Sequence, residues 1–115
     1  MVTIYHNPRC SKSRETLALL QQHGVTPDIV LYLETVPDMA TLKTLLQQLG
    51  MSSARELLRS KEELYQTLQL ADPALSETQL LQAMIANPKL IERPIVVANG
   101  QARIGRPPQQ VLEIL

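Results

Sequence analysis

A chain of 115 residues, 44% of them apolar, is of a size to bury one core and reads as a single domain over residues 1–115. Its charges balance, 11 Lys plus Arg against 11 Asp plus Glu, so no global field draws it to nucleic-acid phosphates or an anionic membrane, and any anion site must be local. With no Phe and no Trp, Tyr5, Tyr32 and Tyr65 are the only aromatics, which removes most stacking platforms for single-stranded nucleic acid.

Val2-Thr3-Ile4-Tyr5 is a short strand candidate, too brief and too soon polar for a signal peptide. No later apolar run approaches a membrane span, and a cytoplasmic protein that binds neither membrane nor nucleic acid is expected. The turn His6-Asn7-Pro8-Arg9 ends the strand. From Ser11 to about His23, Leu17 and Leu20 recur at helical spacing and Gly24 supplies a stop. Ile29 to Leu33 reads as a second strand, and a strand-helix-strand opening implies a right-handed crossover with a parallel pair.

The middle of the chain reads as helical. Asp38 can cap a helix with the stripe Met39, Leu42, Leu45, Leu46 and Leu49, ended by Gly50. Ser53 with Glu56, Ser60 with Glu63 and Ser76 with Gln79 each have capping-box spacing, so several short helices fit better than one long one. The last carries Leu80, Leu81, Met84 and Ile85 and stops at Asn87-Pro88. Ile95-Val96-Val97-Ala98, Asn99-Gly100 and Ala102-Arg103-Ile104 form an antiparallel hairpin pattern. Pro107 or Pro108 then opens a final helix that buries Val111, Leu112 and Leu115. The order predicts an α/β, thioredoxin-like fold: a mixed sheet of parallel first strands plus a C-terminal antiparallel hairpin, with a helical insertion in the middle.

Cys10 is the only cysteine, so no internal disulfide can form and a resolving thiol must come from elsewhere. It stands between strand and helix, where free N–H groups and the helix dipole favour a thiolate, with Arg9, Lys12 and Arg14 nearby. An inert cysteine is the alternative. Ser13, one turn on, either donates to the thiolate or simply caps the helix. His6 either handles a proton near Cys10 or is merely hydrogen-bonded. Arg59, Arg93 and Arg106 stand at loops or element ends and form either an oxyanion clamp or ordinary solvated charges. Arg93-Pro94 precedes a strand, where a cis bond is possible although about one X-Pro bond in twenty adopts it.

With these residues the sequence resembles the arsenate reductase (ArsC) family of the glutaredoxin-coupled, thioredoxin-fold type, and within it the shorter YfgD-like branch. The resemblance is carried by Ile4-Tyr5-His6-Asn7-Pro8-Arg9-Cys10-Ser11-Lys12-Ser13-Arg14, Leu31-Tyr32-Leu33-Glu34, Ala54-Arg55-Glu56-Leu57-Leu58-Arg59, Glu92-Arg93-Pro94-Ile95-Val96-Val97 and Ile104-Gly105-Arg106-Pro107. It implies that Cys10 attacks arsenate, that Arg59, Arg93 and Arg106 hold the oxyanion, that His6 helps form the thiolate, and that Pro94 is a structural cis-proline. It further implies glutathione as reducing co-substrate, a glutaredoxin partner, and neither a bound cofactor nor a metal. Arsenic-detoxifying members read Pro-Ala-Cys-Gly-Thr-Ser-Arg where this chain has Pro8-Arg9-Cys10-Ser11-Lys12-Ser13-Arg14, and carry a longer C-terminal tail, so a similar small oxyanion is an alternative substrate.

Two other functions fit the same fold. One is an adaptor of RNA polymerase like the Spx proteins, whose usual C-x-x-C switch is removed here by Ser13. The other is a glutathione-dependent thiol transferase whose arginines grip a carboxylate. Arsenate-dependent consumption of reductant separates the three.

Overall fold

Four short strands and the helices between them are set by local signals that the computed structural model, describing Met1–Leu115, translates into one sheet and a helical segment. Strand β1 (Val2–Tyr5) is central, with β2 (Asp28–Val30) on one side and β3 (Ile95–Ala98) then β4 (Gln101–Ile104) on the other, giving the order β2-β1-β3-β4. β1 pairs with β2 in parallel, while β1 with β3 and β3 with β4 are antiparallel. This is the mixed thioredoxin-like sheet. No helix is long and apolar enough to cross a membrane.

The chain divides into two compact units, Met1–Thr35 with Arg93–Leu115, and Val36–Glu92. In the first, helix α1 (Ser11–Gln22) and a 3₁₀ helix over Pro108–Ile114 pack together. Ile4, Leu20, Val96, Ala98, Val111 and Ile114 form its buried core. Each large aliphatic side chain so buried contributes about 1.5–3 kcal/mol. The β3–β4 turn places Asn99 at φ 54° and Gly100 at φ 75°, the left-handed pair that an Asn-Gly hairpin requires.

Three expectations are corrected here. Strand β2 is Asp28–Val30 rather than Ile29 to Leu33, because the chain turns at Leu31, whose carbonyl accepts from Glu34 N–H (2.9 Å) and Thr35 N–H (2.8 Å). The last helix is 3₁₀, so burial recurs every third residue at Pro108, Val111 and Ile114. Leu115 is consequently 43% exposed. In the second unit, Ser60 does not build a capping box: the short helix α3 (Glu63–Thr67) has Glu62 as its N-cap, without a side-chain cap.

The other elements of that unit start as their sequence signals require. Asp38 accepts from Thr41 N–H (2.8 Å) ahead of helix α2 (Met39–Leu49), which ends at Gly50 with φ 72°. Capping boxes at Ser53 and Ser76 open the 3₁₀ turn Ala54–Leu57 and helix α4 (Glu77–Ala86). The Glu77 carboxylate accepts from Ala54 N–H (2.6 Å) and the Ser53 hydroxyl (2.8 Å), fastening these two starts to each other.

Back in the first unit, Gly105 donates its N–H to the Pro94 carbonyl (3.0 Å), and a Cβ built there would strike Thr16 Oγ1 and lie 2.8 Å from Pro94 Cγ. Thr16 is fully buried and its hydroxyl is committed to the Lys12 carbonyl at 2.7 Å, so it has little room to yield. Gly105→Ala should therefore destabilise the protein by about 1–3 kcal/mol, as overpacking does. A urea midpoint equal to that of the parent would show that the contact is not tight.

Candidate active site

Sheet register brings the candidate residues together. Tyr5 stands opposite Ile95, and Ile95 opposite Ile104, so the loop after β1, the residues before β3 and those after β4 emerge at the same end of the sheet. These are the Cys10 loop, Arg93-Pro94 and Gly105-Arg106.

The loop is built by its own backbone and by Asn7. His6 N–H bonds the Val30 carbonyl (2.8 Å), the Asn7 carbonyl accepts from Cys10 N–H (3.0 Å), and Asn7 Oδ1 accepts from Arg9 N–H (3.0 Å). Arg14 Nη1 donates to the Pro8 carbonyl at 2.9 Å, tying loop to helix. Cys10 becomes the N-cap of α1, with extended backbone (φ −94°, ψ 123°), and its side chain is partly exposed.

Partial burial pushes the Cys10 thiol up, but the Ser13 N–H, the charge of Arg93, the Lys12 N–H and the charge of Arg106 together outweigh it and hold the thiol below its ordinary value. Neither amide makes a full capping hydrogen bond to the sulfur. The direct contact is with Arg106, whose Nη2 lies 3.6 Å from Sγ while its Nε donates to the Arg93 carbonyl at 2.9 Å. Thus the cations that favour the thiolate are Arg93 and Arg106, rather than the expected sequence neighbours. Lys12 Nζ pairs with Glu15 (3.3 Å), and Arg14 acts on His6. The Arg93–Pro94 peptide is cis, and so is Arg106–Pro107, for which the sequence carries no separate signal.

Ser13 differs from expectation. Its buried hydroxyl meets His6 Nδ1 (2.6 Å) and accepts from Asn7 N–H (3.0 Å), so it braces the loop and only its backbone N–H favours the thiolate. His6 likewise bonds Ser13 rather than Cys10. Burial, then the charge of Arg14, lowers the His6 pKa below 6.5, leaving a neutral ring at pH 7.

That shift has a consequence for stability. Between the lowered folded value and the unfolded value of about 6.5, the unfolded chain binds more protons, so the His6 contribution is complete above about pH 6.5 and declines as pH falls through that window. His6→Gln should flatten this part of the pH dependence. Urea midpoints at about pH 7.5 and pH 5.5 check it; an unchanged slope in the variant would contradict the assignment.

Arg59 belongs to the second unit. A bridge between Leu58 and Ile91 fixes its backbone, with Arg59 N–H donating to the Leu90 carbonyl at 2.8 Å. Its guanidinium meets the Lys89 carbonyl (3.1 Å) and Glu62 (3.3 Å). The residues that composition and spacing did not single out as functional are Asn7 and Gly105. Asn-Pro at a strand end signals a turn, yet that signal carries no hint of a thiol beside it. No group of three His, Cys, Asp or Glu side chains is placed to hold a metal ion.

Comparison with known proteins gives a consistent picture. Residues 5–114 match the ArsC family. The chain is 71% identical over 114 residues to the Escherichia coli (strain K12) protein described as uncharacterized protein YfgD, covering 99% of this chain and 96% of that one. It is 49% identical over 114 residues to an arsenate reductase of Haemophilus influenzae, covering 99% and 98% of the two chains. The solved arsenate reductase from Vibrio cholerae superimposes with a TM-score of 0.97 at 62% identity, over 99% of this chain and 97% of that one.

Proposed function

Because the chain belongs to the ArsC family, we propose that it reduces arsenate to arsenite in the cytoplasm at a single nucleophilic thiol, with glutathione and a glutaredoxin supplying the electrons. The observation that carries this reading is the Arg106 guanidinium 3.6 Å from the Cys10 sulfur, with the charge of Arg93 also acting on the thiol. A fixed, always-charged fork beside a thiolate suits a tetrahedral oxyanion. The arsenate reductases of Haemophilus influenzae and Vibrio cholerae, which this chain resembles along nearly its full length, support the same substrate.

In this scheme the Cys10 thiolate attacks arsenic and an arsenate oxygen leaves as water. Arg93 and Arg106 hold the remaining oxygens, and Arg59 supplies the third guanidinium, as the family resemblance implies. His6 and Ser13 keep the loop in shape. Glutathione then attacks the sulfur-bound arsenic ester. In balance, one Cys10 thiol, one glutathione thiol and one arsenic acid give one mixed disulfide, one arsenous acid and one water, and the two electrons gained by arsenic come from the two thiols. Glutaredoxin removes glutathione from Cys10 by thiol–disulfide exchange. The single cysteine supports an external reductant, since a lone thiol can contribute only one half of the disulfide.

Arsenate-dependent NADPH consumption, coupled through glutathione reductase, glutathione and glutaredoxin, tests the proposal. Turnover that needs all three components is expected. Full multiple-turnover activity with thioredoxin as the only thiol source would overturn the glutaredoxin route, and no turnover on arsenate would overturn the substrate.

A further inference from the structure

Leu31-Tyr32-Leu33-Glu34 has no part in the chemistry above, yet the parallel pairing of β1 and β2 places it beside the Cys10 loop. Between the two lies a cleft of about 300 Å³, lined by the His6–Arg9 loop and by Leu31, Leu33 and Glu34. This is the lower end of the usual range for small-molecule sites, about 300–1,000 Å³. The turn at Leu31 holds its far wall, through the Glu34 and Thr35 amides bonded to the Leu31 carbonyl.

The lining has a definite chemical character. Leu31, Leu33 and Pro8 supply apolar surface, and Leu33 is 39% exposed. Arg9 and Glu34 are both exposed, carry opposite charges and line the same cleft. Some surface charges are paired, as Arg103 is with Glu113 at 2.9 Å and Lys12 with Glu15 at 3.3 Å. Arg9 and Glu34 form no such pair with each other or with a neighbour. Arg9 also immediately precedes Cys10, so an occupant of the cleft lies next to the thiol loop.

We propose that this cleft seats the reducing thiol, a short thiol peptide with a free ammonium group and a free carboxylate: the ammonium group at Glu34, a carboxylate at Arg9, and the carbon chain along Leu31 and Leu33. The inference rests on the reading of glutathione as reductant and adds where, and by which side chains, it is held. A lining that combines apolar surface with both signs of charge fits a zwitterion and disfavours inorganic anions, which have no use for Glu34 or the leucines.

S-methylglutathione, which cannot form a disulfide, is the probe. Titrated into the full-length protein without arsenate, it should shift backbone amide resonances of Asn7, Arg9, Leu31, Leu33 and Glu34. Glu34→Gln and Arg9→Gln should each weaken its binding about three- to tenfold, the loss expected when one partner of a partly exposed charged contact is removed. In turnover, Glu34→Gln should lower the ratio of activity with glutathione to activity with uncharged 2-mercaptoethanol. Shifts confined to residues outside the cleft, or an unchanged affinity in both variants, would overturn the assignment. Because binding is read without arsenate, arsenate turnover with the probe bound elsewhere removes the seat and leaves the reductase reading intact. Probe binding in the cleft without arsenate turnover does the reverse.

Discussion

Cys10→Ser should abolish arsenate turnover, by at least about a thousandfold, while leaving the chain folded. The sulfur is the only thiol in the sequence, is partly exposed, and makes no contact on which the core depends. Its replacement by oxygen keeps the N-cap position of α1, for which serine is itself well suited. Stability should therefore stay within about 0.5–1 kcal/mol of the parent. The chemistry does not survive, because a hydroxyl at this site is not ionised near neutral pH and cannot form a disulfide. Residual turnover above background in a variant with a normal urea transition would mean that another group accepts the arsenic.

Arg106→Gln should act on both the thiol and the oxyanion. The side chain contacts Sγ through Nη2 and is held by the Arg93 carbonyl through Nε, so its removal takes away a charge and disturbs a second arginine. The pH profile of Cys10 alkylation should move up toward the free-thiol value of about 8.5. At the same time kcat/KM for arsenate should fall about 10²- to 10³-fold, the usual cost of losing one preorganised donor to a developing oxyanion. Arg106→Lys separates the effects: it keeps a point charge and part of the thiol shift, but loses the planar fork and most of the oxyanion affinity. If the Gln variant alkylates with the parent's pH profile, Arg106 has no hold on the thiolate.

What the sequence revealed and what it hid follow a physical division. The β3–β4 hairpin was legible because Asn99-Gly100 encodes its turn locally, and α2 because Asp38, the leucine stripe and Gly50 agree on its limits. Cys10 at a helix N-terminus was legible for the same reason. The extent of β2 was not, since pairing with Thr3–Tyr5 and the turn at Leu31 end it at Val30. The period of the last helix was hidden too, because i, i+3 burial at Pro108, Val111 and Ile114 looks like α-helical spacing over so short a run.

At the site, proximity in sequence misled. Arg9 and Lys12 flank Cys10, but the guanidinium groups acting on the thiol arrive from Arg93 and Arg106 through the pairing of β1 with β3 and β3 with β4. Ser13 lies one turn beyond Cys10, yet the helix buries its hydroxyl against His6 and Asn7. Helical spacing alone does not tell which way a first-turn side chain points. The cleft between the His6–Arg9 loop and Leu31–Glu34 depends on two parallel strands standing side by side, which no local pattern contains.

The most direct test of the central claim is the intact mass of protein trapped during turnover with glutathione and arsenate, before glutaredoxin is added. One glutathione on Cys10, formed only when arsenate is present and absent from Cys10→Ser, is the predicted result. Protein that releases arsenite while its mass stays unmodified, or that acquires glutathione equally well without arsenate, would contradict a reaction in which Cys10 and glutathione each supply one sulfur of the disulfide.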